Sequence, residues 1–321
     1  MTSVHFLQRS PSKLTLSYAH NKKYFSTEIV KPLQRLIVAM LKTKKDQYLL
    51  DFLKNYFTFT LVNKYIFVWF MSNFLSNLYQ LKNDGKKALA VLIDPDQSEE
   101  SVLNIAHHCQ ANSVDFVFVG GSLTTAGILS EAIKNIKKNY FGKIYIFPGN
   151  EFMIDNNADG ILFLSLLSGR NPEYLIGKQL VAAPLLAASN LEIIPTAYLL
   201  IDGGKETSVS YISNTKPIPS DKSDIAIATA LAGKMLGMQC VYMDAGSGAL
   251  NPIPEKMISS VMKSVNLPLI IGGGIRNIDT ATKAFSSGAD LIVIGNGAED
   301  DRSIIEQISA VRDSFSVKIE L

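Results

Sequence analysis

From Ala88 to Asn296, short apolar runs alternate with longer stretches in which polar residues recur. The runs read ALAVLID (88–94), DFVFVGG (115–121), KIYIFPG (143–149) and ADGILFLSLL (158–167). They continue as EIIPTAYLLID (192–202), CVYMDAG (240–246), PLIIGGG (268–274) and ADLIVIGN (289–296). Near-continuous apolar strands separated by helical stretches mark a parallel sheet covered on its faces. Eight such units predict a TIM-type (β/α)8 barrel, an α/β fold of about 250 residues. A doubly wound open sheet competes, but IDPDQS stands at the first strand–helix turn, where that fold would carry a glycine-rich fingerprint.

Punctuation between the runs supports the helices. Asp96 or Gln97–Ser98 opens the first, with Asp96 read as its cap, and Glu99 and Glu100 suit the positive end of the helix dipole. Pro172 and the NPIPEK stretch mark later starts, and Gly288 is expected to end the helix before the last strand. The connection at 203–224 is long enough to be a lid or binding loop.

Charge changes the picture at one end. The chain of 321 residues has a net charge of +2, yet residues 1–70 hold 11 Lys and Arg against 3 Asp and Glu. The remainder is therefore acidic, with 20 against 26, which argues against a nucleic-acid partner. The longest apolar run in the basic segment, Tyr65–Met71, is far short of the about 20 residues that span a bilayer. Residues 1–70 read as an extension without a core of its own, disordered or upstream of a natural start at Met71. Residues 71–321 read as the barrel domain. Cys109 and Cys240 form no CxxC pair and read as small core residues in a reducing cytoplasm. No histidine closes a predicted strand, so any metal is expected to be held by oxygen.

In a barrel of this kind chemistry sits where strands end. The last two runs close on Gly272–Gly273–Gly274 and Gly295–Asn296–Gly297. Glycine bares backbone N–H groups, and the loops after the last two strands of this fold recurrently hold phosphate. Tight turns alone would also explain a glycine, but less readily two glycine-rich ends on adjacent strands. Gly246, Ser247 and Gly248 add donors after the sixth run. Asp244 is an acid inside an apolar strand, either a base for a substrate hydroxyl or a carboxylate bonded to backbone. Asp94 at a phosphate-binding mouth calls for a cation, and Mg2+ bridges carboxylate to phosphate; Ser122 adds a hydroxyl. Arg170, Lys205, Lys216 and Arg276 lie in mouth loops, where they neutralise a second anion or stand as solvated surface charges.

Taken in order, LIDPDQ, FVFVGGS, IFPGN, KPIP, YMDAGSG, IIGGGI and VIGN resemble the geranylgeranylglyceryl phosphate synthase family, the archaeal-type glycerol-1-phosphate prenyltransferases and their bacterial homologues. The resemblance covers about residues 75–315. It implies a TIM barrel that joins a polyprenyl diphosphate, geranylgeranyl diphosphate in the family name, to the 3-hydroxyl of sn-glycerol 1-phosphate. An ether forms and diphosphate leaves, with Mg2+ as cofactor. Asp94 and Ser122 match the magnesium positions. Tyr242, Met243, Asp244, Ala245, Gly246, Ser247 and Gly248 match the segment around glycerol phosphate, with Asp244 as catalytic base. Gly273, Gly274, Gly295 and Asn296 match the phosphate clamp. The prenyl tail needs an apolar groove, for which Phe147, Phe152, Tyr174, Tyr198 and Tyr211 are candidates. The resemblance also implies a homo-oligomer in contact with the membrane only at its periphery. Two departures stand out. Asp244 takes the place of a family glutamate, and Gln97 follows DPD where a basic residue is common. They leave open another phosphate-binding barrel enzyme, an isomerase or flavin user, or a non-catalytic barrel that keeps a ligand site.

Overall fold

The computed structural model describes residues 73–121, 128–295, 297–298 and 301–315. The extension expected over 1–70 and the candidate residues Ser122 and Asn296 lie outside the described residues.

All eight expected strands form: β1 Ala88–Ile93, β2 Phe116–Gly120, β3 Lys143–Phe147, β4 Gly160–Leu166, β5 Glu192–Leu200, β6 Cys240–Asp244, β7 Leu269–Gly272 and β8 Leu291–Ile294. Each pairs in parallel with the next, and β8 closes on β1 through Ala88–Leu291 and its successors. The helices include α1 (Asn73–Asn83) before β1, α2 (Glu99–Ala111) after it, and α3 (Ile128–Asn139) after β2. A π-turn (Glu173–Gly177) leads into α4 (Lys178–Ala187) after β4. Next come α5 (Ser208–Ser213) and α6 (Ser223–Met235) after β5, and α7 (Glu255–Val265) after β6. Finally α8 (Ile278–Ser286) follows β7 and α9 (Ser303–Ser314) follows β8.

Strand alternation divides the core in two. Leu89, Val91, Val117, Val241, Met243 and Ile292 face outward and pack under the helices. Ala90, Phe118, Tyr145, Tyr242, Ile270 and Val293 fill the barrel interior. The N-terminal end of that interior is stoppered by α1, whose Phe74, Leu75 and Leu78 are buried. The Phe74 ring lies 4.8 Å from Phe116 and 4.9 Å from Tyr145. Glu192 ties the stopper down: Oε1 accepts from the Phe74 N–H at 2.7 Å, and Oε2 accepts from the Tyr145 hydroxyl at 3.3 Å. Among the described residues this plug closes the N-terminal end of the barrel axis.

Element ends differ in detail from the sequence reading. Ser98, not Asp96, caps α2, its Oγ accepting from the Ser101 N–H at 3.3 Å. The Asp96 N–H instead donates to Asp94 Oδ1 at 3.0 Å, a local turn that orients Asp94. Pro172 and Pro254 do sit directly before helical turns, and Gly288 follows α8 with φ +116°. The long connection after β5 is folded, with α5 inside it and a parallel bridge from Ile201 to Ile218. Both cysteines are buried core residues, and burial pushes the Cys240 thiol up to about 12.

Truncating Phe74 to alanine empties the stopper and should cost about 3–5 kcal/mol. Urea unfolding of F74A checks this; a loss below about 1 kcal/mol would mean that α1 contributes little to closing the barrel.

Candidate active site at the barrel mouth

At the C-terminal ends of the strands lies a cavity of about 400 Å³. It has three chemically distinct walls, built by different strands.

The first wall is glycine-rich. Gly246 and Gly248 after β6, Gly273 and Gly274 after β7, and Gly295 and Gly297 after β8 line it, with Ser247 among them. Gly273 has φ +76°, and a Cβ there would lie 2.7 Å from both Asp244 Oδ1 and the Gly246 nitrogen. Backbone conformation and close approach both demand glycine at that position. Gly295 is different: a Cβ would meet nothing nearer than Leu92 at 3.8 Å. Its missing side chain relieves no clash and leaves room in the cavity beside bare backbone, which suits an anion taken up by N–H groups.

Asp244 stands at the foot of this wall. Alternation along β6 turns Tyr242 and Asp244 inward. Asp244 is buried at 8% exposure. Its Oδ2 accepts from the Tyr198 hydroxyl at 2.6 Å and its Oδ1 from the Gly246 N–H at 2.8 Å. Burial holds the carboxyl above its ordinary value, against the opposing pull of these two bonds. Burial, with the adjacent Asp244 charge, also drives the Tyr198 and Tyr242 hydroxyls well upward, so both stay protonated. The result is a carboxylate whose proton affinity is raised and which borders the cavity.

The second wall carries Asp94 at the end of β1. One carboxylate oxygen is engaged by the Asp96 N–H; the other lies 3.5 Å from where a Cβ on Gly121 would sit. Among the described residues no three His, Cys, Asp or Glu side chains converge on a metal site. A single carboxylate at the mouth suits Mg2+, which keeps water and substrate phosphate oxygens and needs only one or two carboxylates.

The third wall is apolar. β3 and β4 share only two register pairs, Tyr145–Gly160 and Ile146–Ile161, whereas β4 and β5 share seven. Beyond Ile161 the β3 edge of β4 is unzipped, and the cavity enters the gap. Phe147, Ile154, Leu162, Leu164, Ala182 and Leu186 line it. Gln179 substitutes for lost ladder contacts: its amide donates to the Leu164 carbonyl at 2.6 Å and the Tyr174 carbonyl at 3.1 Å. An ion pair from Lys178 to Glu151 at 2.8 Å joins α4 to the loop after β3 across the rim.

A sequence model of the PcrB family matches residues 84–312. The chain belongs to the PcrB family. Its relatives include the geranylgeranylglyceryl phosphate synthase of Spirosoma linguale, 47% identical over 243 residues, covering 75% of this chain and 98% of the relative. That of Pyrococcus furiosus is 42% identical over 234 residues, covering 72% and 92%. Among solved structures, the crystal structure of (S)-3-O-geranylgeranylglyceryl phosphate synthase from Thermoplasma acidophilum in complex with substrate sn-glycerol-1-phosphate superposes with TM-score 0.71 at 34% identity. The match covers 77% of this chain and 99% of that one.

Within this PcrB-family mouth the sequence candidates separate. Asp94, Tyr242, Asp244, Gly246, Ser247, Gly248, Gly273, Gly274 and Gly295 share the cavity. Met243 and Ala245 do not line it: they alternate outward and pack under the helices, so only their backbone borders the turn. Of the aromatic candidates, Phe147, Tyr174 and Tyr198 line the cavity, while Phe152 and Tyr211 are 73% and 75% exposed and do not. Tyr198 is less a groove residue than the partner of Asp244, a role visible only from the register that sets Tyr198 beside Tyr242. Arg276 lines the cavity; Arg170 lines a separate surface groove, and Lys205 and Lys216 line neither. Lys178, Glu151 and Gln179 carry no sequence signal, because only the unzipped seam gives them a task.

Because folding raises the Asp244 value, the native state binds its proton more tightly than the unfolded chain. Stability from this group is thus lost as pH rises from the ordinary carboxylate range, about pH 4, through the raised value. Asp244→Asn abolishes that loss. Thermal melts across pH should show a difference that is smallest in acid and shifts in favour of the variant as pH rises. A difference independent of pH, or drifting the other way, would contradict the raised value.

Proposed function

We propose that this chain is a geranylgeranylglyceryl phosphate synthase, transferring a polyprenyl group from its diphosphate to the 3-hydroxyl of sn-glycerol 1-phosphate. The observation that carries the reading is position: Asp244 stands where a glycine wall suited to phosphate meets an apolar slot suited to a lipid tail. The names of the relatives and the ligand of the Thermoplasma structure agree with it.

Gly246–Gly248, Gly273–Gly274 and Gly295 receive the phosphate, which leaves the far hydroxyl of the glycerol beside Asp244. Fixing both reactants in one cavity supplies proximity. The hydroxyl oxygen bonds to C1 of the prenyl chain as the bond from C1 to the diphosphate oxygen breaks. Asp244 takes the hydroxyl proton, and diphosphate leaves with the bonding electrons. Tyr198 and the Gly246 N–H keep the carboxylate aimed at the cavity. Asp94 is the residue that would hold Mg2+, which when bound offsets the charge growing on the leaving diphosphate. The slot between β3 and β4 excludes water from the allylic carbon and takes the tail. Aspartate in place of glutamate shortens the base by a methylene, and its anchoring by Tyr198 makes a defined shorter reach a feature of this mouth.

The enzyme is read as cytoplasmic and homo-oligomeric, meeting the membrane at its periphery to collect a lipid substrate. No helix among the described residues is long and apolar enough to cross a bilayer. Exposed Leu180 and Val181 on α4, and Met235 with Leu236 at the end of α6, support a partner surface.

An assay with labelled sn-glycerol 1-phosphate and prenyl diphosphates of several lengths tests the reaction; the expected product is the prenyl ether, and no product with any length would end the proposal. In that assay Asp244→Ala should lose about 10²–10⁴-fold in turnover while remaining folded. Asp94→Ala should remove Mg2+-stimulated turnover, and a normal magnesium titration in that variant would exclude Asp94 as the ligand.

A further inference from the structure

Two cations flank the Gly246–Gly248 turn, and they are differently placed. Arg276 lines the cavity and spends a guanidinium N–H on the Ala249 carbonyl at 2.8 Å, so it braces the turn from the β7 side. Lys205 approaches from the β5 side; it is exposed and lies outside the cavity lining, at the outer edge of the turn. Among the described residues it has neither an ion-pair nor a hydrogen-bond partner. Yet its Nζ lies only 3.4 Å from where a Cβ on Gly248 would sit. Gly248 has φ +75°, and with no side chain of its own the turn leaves that space to the ammonium group.

The backbone carrying Lys205 is pinned to the same turn. The Gly203 carbonyl accepts from both the Leu250 and Asn251 N–H groups, at 2.9 and 3.0 Å. A Cβ on Gly203 would fall 2.8 Å from the Ala245 carbonyl oxygen, and one on Gly246 would fall 2.7 Å from Thr207 Oγ1. Residues 203–207 therefore lie against residues 245–251 as a strap, with Lys205 at its middle. A tethered, uncommitted cation beside bare amides is placed to take part of a dianion's charge.

We propose that Lys205 is a binding residue for the phosphate of sn-glycerol 1-phosphate, closing over the Gly246–Gly248 turn from the strap that follows β5. The inference rests on the reaction proposed above and assigns Lys205 to one of its two anions. The other, the diphosphate, belongs at Asp94 on β1, and β7 and β8 intervene between β6 and β1 in the barrel order. Lys205 thus adds to glycerol phosphate binding and not to leaving-group departure.

Steady-state kinetics separate the two roles. Lys205→Ala should raise KM for sn-glycerol 1-phosphate about tenfold, the value of one charge-assisted hydrogen bond. Turnover at saturation and KM for the prenyl diphosphate should stay within about twofold, and Lys205→Arg should recover most of the loss. An unchanged KM for glycerol phosphate, or a rise confined to the prenyl diphosphate, overturns the assignment. Calorimetric titration with sn-glycerol 1-phosphate alone should show the same loss of affinity. If the parent protein binds no glycerol phosphate at all, the reaction proposed above fails instead, and inorganic phosphate in the same titration decides for Lys205. Weaker phosphate binding by Lys205→Ala then supports its role, and equal binding overturns it.

Discussion

A carboxylate buried at the end of β6 constrains the residues around it. Removing an ionised group from water is costly unless hydrogen bonds replace hydration. Asp244 has two such bonds, from the Tyr198 hydroxyl and the Gly246 N–H. Both dictate structure nearby. Tyr198 must lie opposite Tyr242, which sets the β5–β6 register. The turn after β6 must bend back to point its N–H at Oδ1, and the residue that follows β7, Gly273, must lack a side chain where it passes that oxygen. The cluster remains a net burden on stability above the acid range, since burial outweighs the two bonds in setting the proton affinity of Asp244. Such burdens are tolerated where they serve chemistry.

The barrel supplies the rest by being incomplete in one place. Seven of its seams carry three or more register pairs; the seam between β3 and β4 carries two. A gap in a parallel ladder leaves backbone groups in need of partners. Gln179 meets part of that need at Leu164, and α4 stands off far enough for the cavity to enter. Glycine-rich and apolar walls therefore face each other across one mouth. The glycine wall lies on β6 to β8, the apolar slot on β3 and β4, and Asp94 sits on the arc between them. The plugged N-terminal end, with Phe74 against Tyr145, lies opposite the mouth.

Much of this is readable along the chain. Eight apolar runs predict eight strands because a parallel strand buried on both faces must be apolar nearly throughout. Asp94 and Asp244 stand out because acids at the ends of apolar runs have no packing purpose, and the glycines because they recur at adjacent strand ends. Local signals are less secure where two residues compete for one role. Asp96 and Ser98 both suit a helix cap, and Ser98 holds the position because Asp96 belongs to the turn that orients Asp94.

The sequence by itself determined the strand–helix alternation, the family, and which strand ends carry polar chemistry, because each depends on residue type at nearby positions. Tertiary structure alone decided which members of YMDAGSG face the cavity, since alternation turns Met243 and Ala245 outward. It also decided the pairing of Tyr198 with Asp244, the slot at the β3–β4 seam, and the reach of Lys205 to Gly248. These depend on register and closure, through which residues distant in the chain become neighbours, 46 positions apart for Tyr198 and Asp244. No local pattern encodes that distance.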